Sequence, residues 1–382
     1  MSLICRCASG PRLAQALGLD VAVFSDRVSV GRTGQKLKIA TLVLLFVTMG
    51  FVGVASADGS LHVLRLGTGG IGGTYFPIGS MIAQAVSAPR QPKGADHDAS
   101  VPGLLAVAQI SNGSLSNIKS MARGDLDAAL VQADVAHWAY HGTGIFKQGP
   151  RHDQLRTIGH LYPESLHLVA RLGSGINVVK DLRGKRVSLD ELGSGTLHAA
   201  MFIIKYYGLT LDDIKPVYLK PTFAALAIAD GKLDAFFIFA GYPIAAVSDL
   251  AGTSGARLVP IDSNVVDVSL AKHPHFERGT IPAWIYGAGI IPANTYKDSG
   301  ETPTLTVGAQ LLVNASLDET MVYQFTRSLW HTKTLTALRS GHVKGAAIEP
   351  KNALRGVTLP LHAGAERYYR EIGLLHDSGG TR

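Results

Sequence analysis

Cysteine is all but missing. Cys5 and Cys7 are the only two in 382 residues. Disulfides, zinc–thiolate sites and thiol nucleophiles are therefore excluded from everything downstream. Charge is scarce too, at 17% of residues, where an average soluble domain carries about 25%. The net charge of +7 overstates any basic character, because residues 1–57 hold six bases against two acids and the remainder holds 30 against 27. No basic stripe with interleaved aromatics occurs, which argues against a nucleic-acid partner. There is no G-x-S-x-G elbow, no G-x-x-x-x-G-K-[ST] phosphate loop and no H-E-x-x-H pair, so three common catalytic signatures are absent. Serines in the turns have no base at a fixed offset.

Apolar residues make up 46% of the chain, enough for filled cores and too many for wholesale disorder. Glycine is abundant at 43 residues and falls in short clusters rather than repeats. At about 100–200 residues per domain, two domains are expected.

One apolar run stands apart. Lys36 and Lys38 precede Ile39–Val54, where 12 of 16 residues are apolar, and Ala55-Ser56-Ala57 follows before Asp58. A basic stretch, an apolar stretch and a small-x-small site make a secretory signal peptide over 36–57. The alternative is a membrane anchor, but the run falls short of the ~20 residues a span needs. The segment 1–35 is long for the basic region of a signal, as an upstream start codon read in error would make it. The expectation is a leader over 1–57 and a soluble mature chain from near Asp58 in the periplasm.

Beyond the leader, short apolar runs alternate with helical patterns, which predicts an α/β fold with mainly parallel sheets and helices on both faces. Strands are predicted at 61–66, 104–110, 126–131, 166–171, 186–189, 216–219, 235–239, 257–260 and 305–313. The strand at 166–171 is placed at a domain crossing. Helices follow the early strands, 89–102 reads as a polar loop, and the last seventy residues read as three helices with a frayed tail after Leu375.

Five strand ends carry small polar turns. Gly67-Thr68-Gly69-Gly70-Ile71-Gly72 fits G-x-G-x-x-G between a strand and a helix. A dinucleotide fold would need an acidic residue about 20 positions on, closing a second strand, and Pro89–Lys93 offers only a loop. A plain tight turn also fits. The third reading is general: bare backbone N–H groups at a helix start approach an anion. Ser111-Asn112-Gly113-Ser114, Gln132-Ala133-Asp134, Gly193-Ser194-Gly195-Thr196 and Gly241-Tyr242-Pro243 repeat the theme, with Pro243 expected at the first helical position. Such residues also cap helices for local reasons. Their spread over both halves suggests two lobes facing one cleft, gripping carboxylates from either side. The ligand-binding candidates are Gly69, Gly70, Gly72, Thr74, Tyr75, Ser111, Asn112, Ser114, Gln132, Asp134, Ser194, Gly195, Thr196, Gly241 and Tyr242.

These residues resemble a known family. LGTGGIGGTYFPIG (66–79), the 111–144 stretch from SNGSLSNIKS to YHGTG, DLRGKRVSLDELGSGT (181–196), DGKLDAFFIFAGYP (230–243) and PLHAGAERYYREIG (360–373) look like the TAXI solute receptors of TRAP transporters, in the family's order. The resemblance implies a two-lobed, hinged, type II periplasmic binding fold. Lobe I is expected over 58–165 and 295–382, lobe II over 166–294. It implies capture of a small organic acid, an amino acid or a dicarboxylate such as glutamate or a 2-oxo acid, and delivery to TRAP membrane permease subunits. No bond chemistry and no cofactor is expected, and the chain is expected to be a monomer. Asp190-Glu191-Leu192 departs from the family's smaller approach to GSGT, so one cleft wall differs.

Rivals stay open: a sensor signalling to a membrane partner, or a nucleotide-binding enzyme. Asp134, His137 and His141 share one helix face, so a metal site is conceivable, against a packed or surface helix. Arg171 either clamps a carboxylate or faces solvent. Glu164 belongs to the hinge or the cleft, and Trp138, Tyr140, Tyr75, Phe76 and Tyr242 either stack on a ligand or fill the core.

Overall fold

The computed structural model describes residues 61–88, 99–292 and 300–376. The leader, most of the 89–102 loop and the far tail lie outside them. Strands β1 (His62–Gly67), β2 (Leu104–Gln109) and β3 (Ala128–Gln132) alternate with α1 (Tyr75–Val86), α2 (Ser114–Arg123) and α3 (Ala133–His141). The long β4 (Leu155–Arg171) follows. Then come β5 (Arg186–Ser188), α4 (Gly195–Tyr206), β6 (Lys215–Val217), α5 (Pro221–Ala229), β7 (Ala235–Ala240) and α6 (Ala245–Gly252). The chain continues through β8 (Ala256–Val259), α7 (Ser263–Lys272), β9 (Phe276–Pro282), β10 (Ile290–Pro292) and a second long strand, β11 (Glu301–Asn314). Helices α8 (Glu319–Leu329), α9 (Thr332–Gly341) and α10 (Ala363–Glu371) close it.

One sheet runs in the order β2-β1-β3-β11-β4-β7-β5-β6, with β8 beside β4 and β9 beside β11. Its first wing, β2-β1-β3, and its second, β7-β5-β6, are parallel. Between them β4 and β11 run antiparallel to each other and to their neighbours. β11 joins the first wing, β4 joins the second, and the two pair with each other. β4 pairs with β11 over 155–165 and with β7 over 165–170. β11 pairs with β9 over 301–307 and with β3 over 309–313.

Burial explains the parallel strands. In β7 (AFFIFA) all six residues are buried. Ala235, Phe237 and Phe239 enter one core, while Phe236, Ile238 and Ala240 enter another. A strand covered by helices on both faces reads as a continuous apolar run, with successive side chains pointing to opposite sides. β3 does the same in the first wing, Ala128 and Leu130 against Ala129 and Val131. Each fully buried Leu, Ile or Phe in such a core contributes about 1.5–3 kcal/mol.

β4 is longer than the 166–171 strand predicted. Its first part, LRTIGHLYPES, is broken by Gly159 and Pro163 and lacks an apolar run, yet it is buried almost throughout because β11 and the flanking helices enclose it. The three C-terminal helices form as predicted. The fully buried Tyr369 of α10 donates to the Ile158 carbonyl at 2.8 Å and accepts from Trp330 Nε1 at 3.0 Å, which ties the last helix to β4. Among the described residues no helix is long and apolar enough to cross a membrane.

Candidate functional site

The strands of both wings end at one pocket of about 480 Å3, open solvent included. Gly69, Gly70, Gly73, Thr74 and Tyr75 line it after β1, and Asn112 and Gly113 after β2. Gln132 ends β3 there. From the second wing come Asp190, Glu191, Ser194, Gly195 and Thr196, then Pro221 at the start of α5, and Ile238, Phe239 and Ala240 at the end of β7. Glu164 enters from β4, where it passes between the wings. The starts of α1, α2 and α4 all face the pocket, and the first N–H groups of a helix have no partner within it.

The hydroxyls of the turns are largely engaged in building it. Ser194 caps α4 by accepting from the Leu197 N–H at 3.1 Å, and Thr196 Oγ1 accepts from the Phe239 N–H at 3.0 Å. Gln132 is buried with no partner for Nε2. Its amide fills the space where a side chain on Gly195 would stand, since a Cβ there would lie 1.5 Å from Gln132 Oε1. Only glycine admits that approach between the two wings.

Six predicted residues do not line the pocket. Gly72 is packed against the second wing, where a Cβ would meet Thr222 Oγ1 at 2.3 Å, and its carbonyl accepts from the Ala246 N–H at 3.1 Å. The Gly241 carbonyl accepts from Thr74 Oγ1. Tyr242 carries the Lys344 ammonium over its ring at 3.5 Å. Ser111 donates to the Thr68 carbonyl at 2.8 Å, and Ser114 accepts from the Gln132 N–H at 3.0 Å. Asp134 is buried behind the pocket. These residues hold the loops, and several hold the wings together. The Ser116 N–H donates to the Gly193 carbonyl at 3.0 Å, and His342 Nε2 lies 3.1 Å from the Pro243 carbonyl. Pro243 is not the first residue of a helix; α6 begins at Ala245.

The electrostatics run against a simple anion site. Three carboxyls line the pocket and no Lys, Arg or His does. Glu164 is 1% exposed and accepts one hydrogen bond, from the Tyr75 hydroxyl at 3.0 Å. Burial pushes its carboxyl well above the usual range; the Tyr75 bond opposes this and the charge of Asp134 adds to it. Burial pushes Asp190 up to about 7, opposed by the Glu191 N–H at 2.8 Å. Glu191 is raised by burial and restrained by Lys220, 3.5 Å away. Asp190 also has φ of 73°, and among the described residues no other non-glycine has a positive φ. That conformation costs roughly 1–2 kcal/mol and is the kind of local strain found where a backbone must present a side chain to a site. The sequence signal for this wall was the Asp190-Glu191-Leu192 departure; Glu164 had no pattern around it, only its place before an apolar strand.

The other candidates resolve differently. Arg171 pairs with Asp234 at 3.1 Å, away from the pocket. The His137 ring packs against His141 and His275 at 4.3 and 4.2 Å between centroids. Among the described residues no group of His, Cys, Asp or Glu is arranged to hold a metal ion.

Several solved structures are distantly similar. One described as a periplasmic transporter has a TM-score of 0.46 at 14% identity, covering 84% of this chain and 94% of its own. The alkanesulfonate-binding protein SsuA from Xanthomonas axonopodis pv. citri, bound to MOPS, has a TM-score of 0.41 at 15% identity, covering 81% and 84%. The periplasmic aliphatic sulphonate binding protein SsuA from Escherichia coli has 0.42 at 15% identity, covering 82% and 84%. The model of one family matches residues 66–373, most of the chain, and on that match the chain belongs to the NMT1-like family.

Proposed function

We propose that this protein is a periplasmic solute receptor that closes on a small organic acid. The observation that carries the reading is a pocket built from both wings, across which loops of one wing are hydrogen-bonded to loops of the other. A solute enters only when those bonds open. The two wings then act as lobes, 58–165 with 295–382 against 166–294, hinged on β4 and β11, and closure buries the solute. Helix starts grip its carboxylate. Of the two solute classes expected, the amino acid fits better than the dicarboxylate. The acidic lining has no basic side chain for a second anionic group, and Glu164 and Asp190 suit an ammonium.

The resemblance to TAXI receptors supports delivery to TRAP permease subunits, and the 36–57 segment supports export with cleavage near Asp58. Mass spectrometry of the solute released on denaturing the purified protein tests the reading. An amino-bearing carboxylic acid near one per chain is expected. A nucleotide, or a protein that carries nothing and is stabilised by no organic acid in a thermal-shift panel, would overturn it.

A further inference from the structure

Two carboxyl groups lie out of water at the back of the pocket. Glu164 is 1% exposed and Asp134 is not exposed at all. Asp134 meets no hydrogen-bonding side chain, only the N–H groups at the start of its own helix, and Glu164 has only the Tyr75 hydroxyl. Glu164 lines the pocket on β4, and Asp134 follows Gln132, which lines it at the end of β3; both strands flank β11, and the charge of Asp134 acts on Glu164. Two like charges in a dry site cannot both persist without compensation.

The groups around them do not supply enough. Tyr75 on α1 is a neutral donor, and the Tyr162 hydroxyl on β4 is buried and unpartnered. The N–H groups at the start of α3 favour a charge on Asp134 only locally. Among the described residues Lys344 is the cation whose charge acts on Glu164, and its ammonium sits over the Tyr242 ring. Across the pocket Asp190 adds a third carboxyl, while the Glu191 charge is met by Lys220. The count leaves the Glu164–Asp134 pair short of one positive charge. An ammonium arriving in the pocket beside Glu164 is that charge.

We propose that the Glu164–Asp134 pair holds a proton in the empty pocket and releases it to solvent when an amino-bearing solute binds, so that capture is coupled to pH. The release rests on the solute class proposed above; the held proton does not. The step balances: one proton leaves a carboxyl group, one ammonium takes its place beside the carboxylate, and no bond of the solute changes. Two coupled carboxyls titrate as a unit, so the proton belongs to the pair.

The test has two arms. In the solute-free protein at pH 7.5, infrared difference spectra against Glu164→Gln should contain the carbonyl stretch of a protonated carboxyl. Glutamine has the shape of the neutral acid, so the variant should fold. In the second arm, thermal shift with the twenty amino acids selects the probe. Calorimetric titration of that amino acid in phosphate and in Tris then yields the proton count from the difference in heats, about one released per solute bound. Glu164→Gln should release none. Binding with no infrared band overturns the held proton while leaving the receptor reading intact. A band with probe binding but no proton release overturns the coupling. Failure of every amino acid to bind overturns the release together with the amino-bearing solute.

Discussion

Gly195→Ala separates closure from folding. Gly195 opens α4 with no left-handed backbone requirement, since it is not among the positive-φ glycines. With the wings apart, the new methyl group meets nothing from the first wing. Folding should then be unchanged or improved by about 0.4–1 kcal/mol, the usual gain when alanine replaces a compatible glycine. With the wings together the methyl carbon would lie 1.5 Å from Gln132 Oε1, 2.6 Å from its Cδ and 3.3 Å from Ser114 Oγ. Gln132 must leave. Overpacking of this kind costs about 1–3 kcal/mol, and Gln132 Nε2 gives up no hydrogen bond on leaving, which favours the low end. At 1.4 kcal/mol per tenfold, affinity should fall between about fivefold and about 140-fold. The assay is calorimetric titration with the co-purifying solute, alongside small-angle scattering. The variant should need more solute to contract. Gln132→Ala in the same chain should restore part of the loss, because the space is then vacant. Wild-type affinity and contraction in a well-folded Gly195→Ala would refute the idea that the wings meet at this turn.

Two further outcomes follow from ionised groups outside the solute contacts. Asp234 accepts from the Arg186 N–H at 3.0 Å, from its guanidinium at 2.9 and 2.7 Å, and from Arg171 at 3.1 Å. These bonds hold its carboxyl far below the ordinary range. Its stabilisation is complete above an ordinary aspartate pKa of about 4 and is lost as pH falls below that. Asp234→Ala should cost about 1–3 kcal/mol at neutral pH and flatten the acid limb of the stability profile; equal urea midpoints at pH 7 would contradict it. Lys344 has the opposite sign. Burial pulls its pKa from 10.5 to about 8, so the unfolded chain binds more protons between those values and stability should rise with pH across that window. Lys344→Met should lose this rise relative to wild type, and parallel profiles from pH 7 to 10.5 would show that the ammonium is not desolvated.

Much of this protein was legible in its sequence. Continuous apolar runs such as Ala235–Phe239 identify strands covered on both faces, and small polar turns after each strand mark the edge where a pocket forms. Both are local signals. Nine of the fifteen nominated residues line the pocket, because glycine-rich helix starts lie at the carboxyl ends of parallel strands wherever the fold is α/β. Tertiary structure decided the rest. Leu155–Ser165 has no strand pattern of its own and becomes β4 only because β11 and the helices enclose it. Gly72 and Gly241 look like pocket glycines, yet they serve the contact between the wings, and no local spacing distinguishes a backbone that meets solute from one that meets another loop. The acidic character of the site was equally hidden. Glu164 and Asp134 stand apart in the chain, and only the pairing of β11 with both β3 and β4 brings their carboxyls near each other out of water, with Asp190 across the pocket on the second wing.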